Sequence, residues 1–114
     1  MKLITKQIER LLSKYPLGSQ DGKRDEAVVI AKFFLTSSPF TFYMLEGSTE
    51  EQTGYGIIVG FDNSAEYGYI SLNEMQTVRN SYGLGVERDM YFKECKVSEI
   101  EDSQVKSLVE RLWK

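Results

Sequence analysis

The sequence predicts an α+β fold: about five strands in a mainly antiparallel sheet, ordered as a four-strand meander, a helix and a fifth strand, with N- and C-terminal helices packed on it. Three observations carry this expectation. Four β-rich runs follow one another between residues 27 and 72 with short connections, and parallel neighbours would need crossovers of about a dozen residues. The hydrophobic period switches to a helical one at Ser71 and returns to a strand period at Val86. Both ends of the chain carry amphipathic helical stripes. The helices are expected to cover one face of the sheet.

The first helix is expected over residues 3–14. Leu3, Ile4, Ile8, Leu11, Leu12 and Tyr15 form one stripe, and Lys2, Lys6, Gln7, Glu9, Arg10 and Lys14 lie largely opposite. Pro16 ends it, because proline cannot continue the hydrogen-bond ladder. LGSQDGKRDE is polar and contains glycine, and reads as a loop. AVVIAKFFL (27–35) is apolar on both alternating faces apart from Lys32, as in a strand covered on both sides. TSSP is a turn, and FTFYMLE (40–46) is the second strand. Past GSTEEQT, GYGIIVGF (54–61) is the third strand, and after the turn DNS, EYGYISL (66–72) is the fourth. Ser71-Leu-Asn-Glu74 is a capping box that opens a helix with Leu72, Met75, Val78 and Tyr82 at helical spacing, stopped by Asn80 and Gly83. Residues 86–92 resume a strand. Ser98-Glu-Ile-Glu101 is a second capping box, followed by a stripe of Ile100, Val105, Leu108, Val109 and Leu112 with Trp113 at its end.

Size and composition narrow the chemistry. A chain of 114 residues, 41% hydrophobic, suits a single domain over residues 1–114. No apolar run reaches the ~20 residues of a membrane span, so no membrane partner is expected. MKLITKQIERLL lacks the apolar core of a secretion signal. Cys95 is alone, so no intrachain disulfide is expected, and a reducing, cytoplasmic setting follows. There is no histidine, which excludes Ser-His-Asp and Cys-His catalysis and the usual zinc sites. No metal and no cofactor are expected. The formal net charge of −3 argues against direct nucleic-acid binding. Its distribution is uneven: residues 1–32 hold seven basic and four acidic side chains, whereas residues 33–87 hold Arg79 against seven acids. The acidic middle suits a basic partner, or is plain solvated surface.

Three constellations invite a functional reading. Gly54, Gly56 and Gly60 have the wrong spacing for a dinucleotide loop and lie within a strand, so close packing or a bulge explains them. Tyr55, Tyr67 and Tyr69 fall in adjacent strands, Tyr67 and Tyr69 on one face, with Tyr43 nearby. They read either as an aromatic recognition surface or as rings covering a half-buried sheet. In YGLGVERDMYF, Glu87, Asp89 and Tyr91 share one face of a strand and Val86, Arg88, Met90 and Phe92 the other. Carboxylates two residues apart stand ~7 Å from one another, within reach of acid/base work. Arg88 among apolar neighbours needs a partner, as does Lys32, and Asp25, Glu26, Glu66 and Glu74 are candidates. A structural ion-pair network is the first expectation; an anion or acidic partner held by Arg88, Arg79 and Lys32 is the second.

The blocks DEAVVIAKFF, FTFY, GYISLNEMQTVR and GLGVERDMYF, in this order, resemble an uncharacterised bacterial family of unknown function that is common on plasmids and on conjugative and integrative elements. The resemblance spans roughly residues 3–100, and its last block, G-L-x-x-E-R-D-x-Y-F, is the most specific. The sequence departs at Phe40 and Phe42, where the family pattern has tryptophan, and at Arg24, where it has glycine. The resemblance implies a genomic setting and no activity. Three function classes follow, in this order: a small binding or regulatory module acting through a protein partner; an acidic mimic of nucleic acid that occupies a DNA-handling or defence protein; and a histidine-free enzyme using Glu87, Asp89 and Arg88.

Overall fold

In the computed structural model, which describes residues 2–114, the first helix α1 (Lys6–Lys14) is shorter than the stripe of apolar residues. Thr5 caps it, its hydroxyl accepting the Ile8 N–H at 3.2 Å, so Leu3 and Ile4 precede the helix. The apolar run 27–35 is two strands. β1 (Val28–Val29) pairs antiparallel with the short β7 (Cys95–Lys96), and β2 (Ala31–Leu35) joins the main sheet. The break falls at Ile30, whose N–H donates to the Met44 carbonyl.

The meander then runs as expected. β2, β3 (Thr41–Ser48), β4 (Thr53–Val59) and β5 (Ala65–Ser71) pair in chain order, all antiparallel. After α2 (Leu72–Thr77) the chain returns to the far side of β2 as β6 (Val86–Arg88), giving the order β5-β4-β3-β2-β6. The last helix is α3 (Ser103–Trp113). No helix among the described residues is long and apolar enough to cross a membrane.

The helices cover both faces of the sheet, not one. β3 is buried on both sides of its pleat, and a strand with two apolar faces needs a layer over each. On one face Phe33, Phe42 and Met44 pack with Ile8 and Leu12 of α1 and with Leu72 and Met75 of α2. On the other, Tyr43, Leu45, Ile57 and Val59 pack with Val105, Leu108 and Val109 of α3. Phe33 and Phe42 are register partners whose rings stack 6.1 Å apart.

Two helices depart from what their periodicity implies, one by ending early and the other by starting late. The Ser71 hydroxyl accepts the Glu74 N–H at 3.1 Å, as the first capping box requires, but α2 stops at Thr77 and Val78 adopts an extended backbone. Arg79 bridges to Gly85, and the Asn80 side chain accepts the Tyr82 and Leu84 N–H groups, so residues 78–85 form a turn and Tyr82 is exposed. The second capping box does not open α3. Asp102 is its cap, accepting the Gln104 N–H, and Ile100 is buried ahead of the helix.

Register shifts between Met44 and Glu46, where one extra residue makes a β-bulge facing Gly56. A Cβ on Gly56 would collide with the Tyr43 carbonyl, whereas one on Gly54 would meet the Phe42 ring at 3.2 Å. Backbone cannot yield as a ring edge can. Gly56→Ala is therefore expected to lose about 3 kcal/mol or more and Gly54→Ala about 1 kcal/mol, read from urea midpoints.

Candidate functional site

The Glu87-Arg88-Asp89 cluster is not the continuous strand face that alternation suggests. β6 ends at Arg88, because the Asp89 carboxylate accepts the Tyr91 N–H at 2.9 Å and turns the chain. Met90 and Tyr91 are consequently exposed. Glu87 accepts the Thr36 hydroxyl at 2.8 Å, and Asp89 lies 3.8 Å from Lys32 Nζ. Arg88 is half-buried and donates to the Lys2 carbonyl at 2.6 Å. The acids expected near Arg88 and Lys32 serve elsewhere: Glu26 pairs with Lys96, Glu66 with Arg111 and Asp25 with Lys114, while Glu74 stands in the capped first turn of α2.

Nor do the three cations gather. Arg88 is the register partner of Phe33, which belongs to the α1 face. Lys32 sits over the Tyr43 ring, on the α3 face, at 5.6 Å. Arg79 donates to the Gln76 and Val78 carbonyls of its own turn. A groove of about 410 Å³ does run between α1 and residues 88–94, but Arg88 and Asp89, which line it, have the partners just named.

The tyrosines do come together, with one exception. Tyr43 is a core residue, 3% exposed, and its hydroxyl donates to Asp102 at 2.9 Å. Tyr55 is the register partner of Tyr69, and their rings lie 4.8 Å apart. Tyr67, two residues before Tyr69 on the same face, lies 6.1 Å from Tyr55. Trp113, from the last turn of α3, meets the Tyr67 ring edge-on at 5.5 Å. Tyr55, Tyr67 and Trp113 form one wall of a cavity of about 200 Å³ that also touches Gln20, Asp21, Gly22, Arg24, Ala27, Leu45 and Glu46.

The other wall is the polar segment LGSQDGKRDE, and it is firmly tied. Both oxygens of the buried Glu46 carboxylate accept backbone N–H groups, from Gly18 at 2.7 Å and Gln20 at 2.8 Å. The buried Gln20 amide donates to the Val28 and Leu45 carbonyls and accepts the Val28 N–H. Neither residue stands out in the sequence as a site residue. The available signal was a carboxylate closing the apolar run FTFYMLE at the bulge, where two successive side chains face one side.

Tyr67, whose side chain lines this cavity, carries an unusual polar atom. The Tyr67 hydroxyl is buried and has no hydrogen-bond partner among the described residues. Burial, then the neighbouring Tyr55 and Asp25, hold its ionisation well above the ordinary phenol value. Tyr55 is raised by burial and by Tyr69, Glu46 and Asp21, so carboxylates lie within electrostatic reach of both rings. Tyr43 is raised by burial and by its bond to Asp102. Among the described residues no group of His, Cys, Asp and Glu side chains gathers as a metal would require.

Residues 3–102 match the family described as protein of unknown function, DUF2958. The chain belongs to this family. The resemblance carried by the blocks at residues 25–92 thus holds, and the match takes in α1, all seven strands and every tyrosine of the DUF2958 chain. It closes at Asp102, the cap of α3, so Trp113 lies beyond it. No curated protein and no solved structure matches the chain.

Two measurements check this geometry. Glu46→Ala strands two backbone donors in the interior and is expected to cost about 2–4 kcal/mol, with faster amide exchange at Gly18 and Gln20. Phenols raised in the fold keep their protons after the unfolded chain has lost them. Their contribution is intact below pH ~10 and is lost as pH rises above it, by at most about 1.4 kcal/mol per pH unit for the buried Tyr43. Tyr43→Phe should make this alkaline decline shallower in urea titrations across that range.

Proposed function

We propose that the protein is a small binding module that acts through a protein partner, with an extended segment of the partner laid along β5. The observation that carries this is the open edge of the sheet. Gly60 N–H bonds to the Ser64 carbonyl and Leu72 N–H to the Gln52 carbonyl at the two ends of the β4–β5 ladder. In an antiparallel pair the bonded positions alternate, so the backbone groups of Tyr67, Tyr69 and Ser71 point away from β4. Arg111 caps the Ala65 carbonyl, and among the described residues no backbone hydrogen bond covers the edge beyond it. Tyr69 stands beside this row, 70% exposed and resting on Tyr55, where amphipathic rings suit partner contact.

The rival readings have less behind them. An acidic mimic needs carboxylates in one regular row, yet Glu46 is buried, Glu66 pairs with Arg111, Asp62 holds Ser64 and Glu87 holds Thr36. An enzyme built on Glu87 and Asp89 would have to release both from their present partners. The cytoplasmic setting read from the lone Cys95 and the mobile-element setting that the resemblance implies belong to this same proposal.

Tyr69→Pro tests it. It removes an outward N–H and places a ring on the edge, without deleting a bond to β4. Capture from a lysate of the source cell, compared between wild type and variant by mass spectrometry, should lose specific partners in Tyr69→Pro while circular dichroism stays unchanged. The exposed control Tyr82→Ser should keep them. Identical capture by all three proteins overturns the proposal. So does a wild-type dimer that Tyr69→Pro dissolves, since a second copy would then occupy β5.

A further inference from the structure

We infer that the cavity between Tyr55, Tyr67, Trp113 and the segment 20–24 receives an organic cation, the ammonium or guanidinium end of a lysine or arginine side chain. The inference deepens the binding reading above by naming the chemistry of the partner, and it stands on different atoms. Three aromatic rings from two strands and a helix converge on about 200 Å³, a volume suited to the end of one long side chain. Ring faces attract cations, and several rings around one site are the usual way to hold them. Tyr67 lines the cavity through its ring, while its hydroxyl is buried and without a partner among the described residues, so the ring and not the hydroxyl is the surface offered to a cation.

The surrounding charge agrees. Asp21 lines the cavity on the segment that Glu46 anchors. Both Glu46 oxygens are already taken, which leaves Asp21 as the carboxylate at the rim able to meet a ligand. Arg24 is the opposing feature. It lines the same cavity, exposed, in the left-handed backbone region (φ 54°), and its side chain has no hydrogen bond or ion pair among the described residues. Its guanidinium lowers the affinity of the site for a second cation. The sign of its effect therefore separates a cation site from an anion site.

Trp113 is the chain's single tryptophan, so its fluorescence reports on the cavity directly. The full chain would be titrated at low salt with Nα-acetyl-arginine amide and Nα-acetyl-lysine amide, beside the neutral Nα-acetyl-norleucine amide and the anionic Nα-acetyl-glutamate amide. The cationic probes should give a saturable change with half-saturation on the order of 1–10 mM, at least about tenfold below either control. Asp21→Asn should weaken them about three- to tenfold, and Arg24→Gln should tighten them by a similar factor. Amide shift mapping on the wild-type chain supplies a readout independent of any variant, and cation-induced shifts should centre on Asp21, Glu46, Tyr55 and Tyr67. A linear response, an equal response to norleucine amide, or preferential binding of the glutamate probe overturns the inference. The titration involves no partner, so a negative result leaves the edge-strand reading standing, and unchanged partner capture by Tyr69→Pro leaves this one standing.

Discussion

The carboxylate of Glu46 joins parts of the chain that sequence keeps far apart. It sits in the middle strand of the sheet at a bulge and accepts two N–H groups from a segment 26 to 28 residues earlier. A buried carboxylate is tolerable only with such bonds, so the segment must fold back over the sheet for the strand to be buried at all. Gln20, brought into place by the same contact, then fixes the backbone of Val28 at the start of β1 and of Leu45 at the bulge of β3. The aromatic cavity exists because of this tie. Its floor is the bulged strand, and its outer wall is the segment that Glu46 holds.

Periodicity made the central sheet legible. The runs around residues 40–46, 54–61 and 66–72 became β3, β4 and β5 with ends shifted by a residue or two, and the glycines inside them proved to be points of close approach. Where side chains bond their own backbone, periodicity misled. Val78 and Tyr82 are spaced as in a helix, but Asn80 holds a turn there, and Asp89 does the same to a run that alternates as a strand would. The second helical cap was displaced for a related reason: Glu99 accepts the Lys96 N–H in a tight turn, and Asp102 takes the capping role three residues later. The covering of both faces was implicit in the double-sided burial of residues 42–47, which a reading of strand order alone does not use.

The candidate site was half legible. Tyr55, Tyr67 and Tyr69 meet because strand register brings them together, and alternation within β5 is a local property. Tyr43 alternates onto the same face but lies two strands inward, where α3 covers it, so the same rule placed it in the core. Gln20 and Glu46 joined the site through contacts 25 to 28 residues apart and Trp113 through the end of a helix, and no local pattern encodes such meetings. The charged residues at 87–89, conspicuous in the sequence, serve the turn and the neighbouring strands.

The two margins of the sheet are unequal. β5 offers seven residues along one margin, whereas β6 offers three before Asp89 turns the chain aside. Growth by strand addition is thereby limited to one side. Two copies meeting margin to margin along β5 would close as a pair, because each would use up its one long margin.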